Sequence, residues 1–298
     1  MPAIDLNGIF PPIPTPFTDG EVAYDKLASN IEIWSQTGLK GLVAMGSNGE
    51  YVYLSVEEKI KFVEKVVELT PDHMLVIAGT GCESTRETVK LTCRCADSGA
   101  HAALVVTPHY YGGRMNEAAM SEYFTTVADH SPIPILLYNV PKFTHINMSV
   151  DLVARLSAHP NIVGIKDSTG NVIQLSEYLN HVGADFNILV GTAGALFGGL
   201  SLGCVGGVLA LANIAPQLCV KIYDFVKEGR FEAAKDLQLK MIPVNKAITS
   251  TYGVPGLKTA MDMLGYFGGD TRPPLMPSTE KEKAKIREII VKAGLLDD

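Results

Sequence analysis

Eight short apolar runs, each ending in a turn or a helix-start signal, constrain the fold more than any other feature of this sequence. They occupy residues 8–13, 42–45, 75–78, 102–106, 134–138, 162–166, 187–190 and 203–209. Most are β-branched and apolar on both faces, as parallel strands covered on both sides must be. Amphipathic segments lie between them. SVEE at 55–58 and STRE at 84–87 have the capping-box form, in which serine and glutamate satisfy each other's orphan amides. After the first box, Val56, Ile60, Val63 and Val67 recur at helical spacing, and after the second Val89, Cys93 and Ala96 do so. Strands and helices alternating eight times predict a closed (β/α)8 TIM barrel. A doubly wound open sheet is the alternative, but it would usually bring a glycine-rich nucleotide turn after its first strand. IPTPF is no such turn.

From about Ala215 the strand signals stop, and EGRFEAAKDLQLKMI, GVPGLKTAMDMLGYFGG and PSTEKEKAKIREIIVKAGLL read as helices split by Gly and Pro. The expected organisation is therefore a catalytic barrel over 1–229 and a C-terminal helical extension over 230–298. One stretch imitates a membrane span: residues 186–220 contain no charged residue, more than the roughly 20 apolar residues a bilayer requires. Its dense, irregular glycines divide it instead into strand, short helix and strand, and a buried α/β interior has the same hydropathy.

Composition narrows the function classes. The net charge is −7 and no basic cluster is present, which argues against nucleic acid as a partner. Five thinly spread cysteines fit a reducing compartment better than a disulfide framework, and no Cys or His cluster has zinc spacing. MPAIDLNGIF shows no charged-then-apolar signal pattern, so the expected location is cytoplasmic, or mitochondrial if a transit segment precedes this sequence.

In a barrel of this kind the chemistry sits at the C-terminal strand ends. Lys166, closing the apolar run of NIVGIKDSTG, is the most informative residue there. A lysine in that position either snorkels to water or pairs with Asp167, or it offers its amine to a carbonyl substrate. A low-dielectric site disfavours the ammonium and leaves a nucleophilic amine. The adjacent strand ends in Tyr138 at the same height, a phenol suited to acid–base work beside an imine. GSNGE, at 46–50, is a glycine-flanked turn whose amides suit a carboxylate, with the Ser47 hydroxyl as a proton carrier. GTAG and GGV follow the seventh strand and occupy the eighth, but no cation accompanies them to make a phosphate site. His109 and Trp34 read as structural.

In this order and at these strand ends, GSNGE, YNVP and GIKDS resemble the pyruvate-dependent class I aldolases, the family of dihydrodipicolinate synthase and N-acetylneuraminate lyase. The resemblance spans essentially the whole chain. Within the family, VVTPHYYGGRM, SPIPILLYNVP and YGVPGLK look nearest to 4-hydroxy-2-oxoglutarate aldolase. It implies Lys166 as the Schiff-base lysine and Tyr138 as the acid–base phenol, with Ser47 in the proton relay. It also implies Tyr110 as the relay tyrosine donated by a neighbouring subunit, Ser47 and Asn48 as the carboxylate loop, and Ser168, Gly191 and Val208 as further substrate-binding positions. The implied assembly is a homotetramer of tight dimers, and the implied chemistry needs neither metal nor organic cofactor.

One departure stands out. Dihydrodipicolinate synthases usually carry an arginine shortly after YNVP, and here the sequence is YNVPKFTH, with Phe143 at that place and Lys142 beside it. A phenyl ring makes no bidentate carboxylate contact. The expected reaction is therefore cleavage of a 2-oxo-4-hydroxy acid, 4-hydroxy-2-oxoglutarate first, to pyruvate and glyoxylate. Alternatives are condensation of pyruvate with aspartate semialdehyde, cleavage of a 2-keto-3-deoxy sugar acid, a keto-acid sensor without turnover, and a pyridoxal phosphate enzyme. Arg114 and Phe143 are the expected specificity positions.

Overall fold

The apolar runs pair in chain order into one parallel sheet. The computed structural model describes residues 4–297. Its strands are β1 (Gly8–Phe10), β2 (Gly41–Ala44), β3 (Leu75–Gly79), β4 (Ala102–Val106), β5 (Ile135–Asn139), β6 (Ile162–Asp167), β7 (Asn187–Val190) and β8 (Gly206–Val208). Successive strands from β2 to β8 are neighbours, and β8 pairs with β1. Between β1 and β2 closure runs through a bridge from Pro12 to Val43. Val43 N donates to Pro11 O at 2.9 Å, and Ile13 N donates to Val43 O at 2.9 Å. The first apolar run thus yields a strand of only three residues, because Pro11 and Pro12 have no N–H for the ladder.

Side-chain alternation sorts each strand between two cores. On β5, Ile135 and Leu137 face the outer helices while Leu136 and Tyr138 face the lumen. Gly164 sits opposite Leu136 and Lys166 opposite Tyr138. A Cβ on Gly164 would lie 2.9 Å from Leu136 Cδ2 and 2.3 Å from Asn187 O, so glycine makes room for leucine in the barrel. Each fully buried Leu, Ile or Phe contributes about 1.5–3 kcal/mol. The lumen is therefore a packed support for the residues above it.

Helix starts follow the serines. Ser55 forms the full capping box with Glu58, and Ser84 accepts from Glu87 N, but Glu87's carboxylate turns to Lys90 instead of closing the second box. The buried face of the helix Thr85–Asp97 differs from the spacing expected above. It consists of Thr88, Leu91, Thr92 and Cys95, while Val89, Cys93 and Ala96 lie partly exposed. The two threonines go inside because their hydroxyls find partners there: Thr88 with Tyr123 and Cys82, Thr92 with Thr80.

The uncharged stretch 186–220 divides into β7, the helix Leu196–Leu202, β8 and the start of the helix Pro216–Lys227. Among the described residues, no helix is long and apolar enough to cross a membrane. Past Gly229, in the left-handed region at φ 74°, come the helices Phe231–Lys246, Gly253–Met263 and Glu280–Lys292. A five-residue π-helical turn, Ala247–Thr251, joins the first two. Gln238 pins this extension to the barrel by donating to Ala193 O and Gly194 O at 2.8 and 2.7 Å. Met241, Val244, Leu257 and Ile286 extend the outer core. Trp34 is fully buried and donates to Asn213 O, and His109 pairs with Glu83.

Candidate active site

Lys166 ends the lumen-facing row of β6 with 3% of its surface exposed, directly beside Tyr138 of β5. Its Nζ lies 4.1 Å from the centroid of the phenol ring. Neither bland expectation for this lysine holds: it does not reach bulk water, and it does not pair with Asp167. Strand alternation sends Asp167 to the opposite side. There its Oδ2 accepts from Asn139 Nδ2 at 2.7 Å and Gln174 Nε2 at 2.9 Å, and its Oδ1 accepts from Thr169. Among the described residues Lys166 has no ion-pair partner, so its amine is uncommitted.

Tyr138 connects this amine to the turn after β2. Its hydroxyl is 3.3 Å from Ser47 Oγ. Ser47, Asn48 and Gly49 form one 3₁₀ turn, and the first two amides have no backbone acceptor among the described residues. They are free to bind an anion. Two contacts hold the turn from behind. Thr15 Oγ1 donates to Gly49 O at 2.6 Å, and the Glu50 carboxylate, 3% exposed in a left-handed backbone conformation, meets Lys258 of the extension at 2.7 Å. Lys258 Nζ also donates to Thr15 O and Asp270 O, while Arg272 N donates to Glu50 Oε2. Burial pushes the Lys258 ammonium below its ordinary range, and the adjacent Glu50 charge opposes that shift. Burial also raises the phenol of Tyr51, which packs beside Ser47 and Tyr138.

A cavity of about 300 Å³ opens above Lys166. It gathers Ser47, Asn48, Tyr138, Lys166, Ser168 and Gly191 from the expected set. Gly191 is required there: a Cβ would lie 2.1 Å from Ser168 Oγ and 2.6 Å from Asp167 O. Val208 does not join the lining. It is 1% exposed in the lumen with Phe10 and Leu189, because its strand is short and its side chain points into the packed interior. Tyr110 also lies apart from the cavity of its own chain, 77% exposed in the loop after β4, and Arg114 lies in the same outward loop.

The extension's share of the cavity wall was not foreseen from the sequence, whereas Phe143, with Lys142 beside it, was an expected specificity position. Ile248, Thr249 and Ser250 of the π-helical turn border the cavity, as do Lys142 and Phe143. Lys142 Nζ donates to Thr249 O at 2.7 Å, across 107 residues of chain. The π-helical turn has no sequence signature, and only the adjacent YGVPGLK segment hinted that this region mattered.

Comparison with known proteins places the whole chain in one family. Residues 5–293 match the model of the dihydrodipicolinate synthetase family. The chain is 40% identical over 290 residues to a 4-hydroxy-tetrahydrodipicolinate synthase of Methanothrix thermoacetophila, covering 96% of this chain and 97% of that protein. It is 33% identical to the synthase of the same name from Magnetococcus marinus, covering 98% of this chain and all of that one. Among solved structures, the dihydrodipicolinate synthase of Aquifex aeolicus superposes with a TM-score of 0.93 at 32% identity, covering 98% of this chain and 100% of its own.

Proposed function

Since the chain belongs to the dihydrodipicolinate synthetase family and is a pyruvate-dependent class I aldolase, a carbon–carbon lyase, we propose that Lys166 is the amine that bonds to the keto acid. The observation that carries this is a buried lysine with no ion-pair partner, beside a phenol, in a cavity lined by no carboxylate. The amine adds to the ketone of pyruvate, and water leaves to give an iminium. Loss of a methyl proton yields an enamine, which attacks an aldehyde carbon and passes its electron pair into the new C–C bond. The aldehyde oxygen takes up a proton, and hydrolysis of the iminium frees the product and the amine. Cleavage is the same sequence reversed. Tyr138 carries protons through Ser47, 3.3 Å away, and we place Tyr110 of a neighbouring subunit next in the relay. That role calls for a multimer, and we propose the homotetramer. Ser47 and Asn48 amides hold the pyruvate carboxylate, and Ser168 and Gly191 bound its pocket.

For the aldehyde, the names of the relatives favour aspartate semialdehyde, which would make the chain a 4-hydroxy-tetrahydrodipicolinate synthase. This takes precedence over the cleavage of 4-hydroxy-2-oxoglutarate expected from the sequence. Phe143, half-exposed where an arginine was expected, favours the second reading, with glyoxylate as the aldehyde. Parallel assays separate them. Pyruvate consumption is followed with aspartate semialdehyde, and pyruvate release from 4-hydroxy-2-oxoglutarate and from 2-keto-3-deoxy sugar acids. The first reading expects the highest kcat/KM with the semialdehyde. Faster release from the oxoglutarate reverses the order, and no turnover with any of them, by wild-type protein, refutes both.

A further inference from the structure

The lining of the active-site cavity contains two lysines, Lys166 and Lys142, and no Asp or Glu. This is unusual ground in a protein of net charge −7. On the proposed reading, one positive charge stays on the iminium of Lys166, near the carboxylate of the bound pyruvate. That leaves one cation unaccounted for. Lys142 follows Pro141 at the start of the short helix Pro141–Thr144 and projects toward the extension, where its Nζ meets Thr249 O at 2.7 Å. An ammonium has three donors, and among the described residues Nζ of Lys142 makes this one hydrogen bond and approaches the Phe143 ring at 5.3 Å. Two donors stay available to the cavity. The carbonyl tether fixes the end of a flexible side chain, so less freedom is lost when a ligand binds.

We propose that Lys142, held by the π-helical turn, binds a carboxylate on the aldehyde substrate and so selects anionic aldehydes over neutral ones. The inference rests on the aldolase reading above and deepens it. Phe143 stands where a guanidinium was expected, and the adjacent Lys142, which lines the same cavity, supplies a point charge there. The competing possibility is that Lys142 only ties the barrel to its extension, which would affect every aldehyde alike.

The test uses the full-length protein and two aldehyde pairs of matched length: glyoxylate against glycolaldehyde, and succinic semialdehyde against butanal. Pyruvate consumption gives kcat/KM for each in wild type, Lys142→Met and Lys142→Arg. A hydrogen bond to a charged group is lost in Lys142→Met, so its preference for the carboxylated member drops about 10- to 100-fold in at least one pair. Lys142→Arg keeps most of that preference. Preference ratios within about threefold of wild type in both pairs, or equal losses for charged and neutral aldehydes, overturn the proposal. Borohydride trapping of pyruvate on Lys166 is run in parallel. Trapping without a change in aldehyde preference refutes the Lys142 subsite alone, whereas no trapping in wild type refutes the aldolase reading.

Discussion

Replacing Lys258 by methionine removes the ammonium that ties the turn after β2 to the helical extension. Its Nζ donates to Thr15 O at 2.8 Å and Asp270 O at 2.5 Å and lies 2.7 Å from Glu50 Oε1 as an ion pair, with both charged side chains 1% exposed. Methionine fills much of the same volume but leaves a buried carboxylate and two carbonyls short of a partner. Breaking one side of a buried ion pair costs about 3–5 kcal/mol, because the surviving charge keeps its desolvation penalty. One hydrogen bond to Glu50, from Arg272 N, survives, which sets the expectation near the lower end, about 3 kcal/mol. Equilibrium urea unfolding followed by fluorescence of the single, buried Trp34 reads the loss. The double variant Glu50→Gln/Lys258→Met restores charge balance, so it loses less than the sum of the single variants by about 1 kcal/mol or more. A Lys258→Met loss under about 1 kcal/mol, or strict additivity, refutes the claim that this pair anchors the turn.

Further outcomes follow from the same geometry. Tyr138→Phe keeps the ring beside Lys166 but removes the hydroxyl, so steady-state kcat falls about a hundredfold or more, measured by coupled pyruvate assay. Gly191→Ala places a methyl 2.1 Å from Ser168 Oγ; it costs about 1–3 kcal/mol in urea unfolding and lowers pyruvate affinity. Glu58 is held below its ordinary 4.5 chiefly by hydrogen bonds from Arg272, at 2.7 and 2.8 Å. A depressed carboxyl contributes stability above its unfolded value that is lost as pH falls through the folded one. Arg272→Met therefore flattens the loss of urea stability below about pH 4.5, an effect moderated by solvent screening of this partly exposed pair.

The barrel was legible because parallel strands covered on both faces read as uninterrupted apolar runs. Its seam was less so: whether residues 11–13 continue β1 depends on prolines that accept but cannot donate. The inner face of Thr85–Asp97 was misplaced because threonine counts as polar until its hydroxyl finds a buried partner. Lys166 and Tyr138 were legible together, since adjacent strands of a barrel bring corresponding ends to one height. Glu50 with Lys258 and Lys142 with Thr249 were not. Their partners are 208 and 107 residues distant, and only the docking of the extension creates either contact. Val208 shows the opposite limit, a strand-end position whose side chain ends in the lumen.

On the proposed chemistry, one amine enclosed by the barrel mouth forms a covalent bond with pyruvate. Incubating the protein with pyruvate and borohydride, then mapping peptides by mass spectrometry, tests it most directly. The expected product is a 1-carboxyethyl group on Nζ of Lys166, absent in Lys166→Arg. An unmodified Lys166 in protein that turns over pyruvate, or an adduct confined to another lysine, would contradict it.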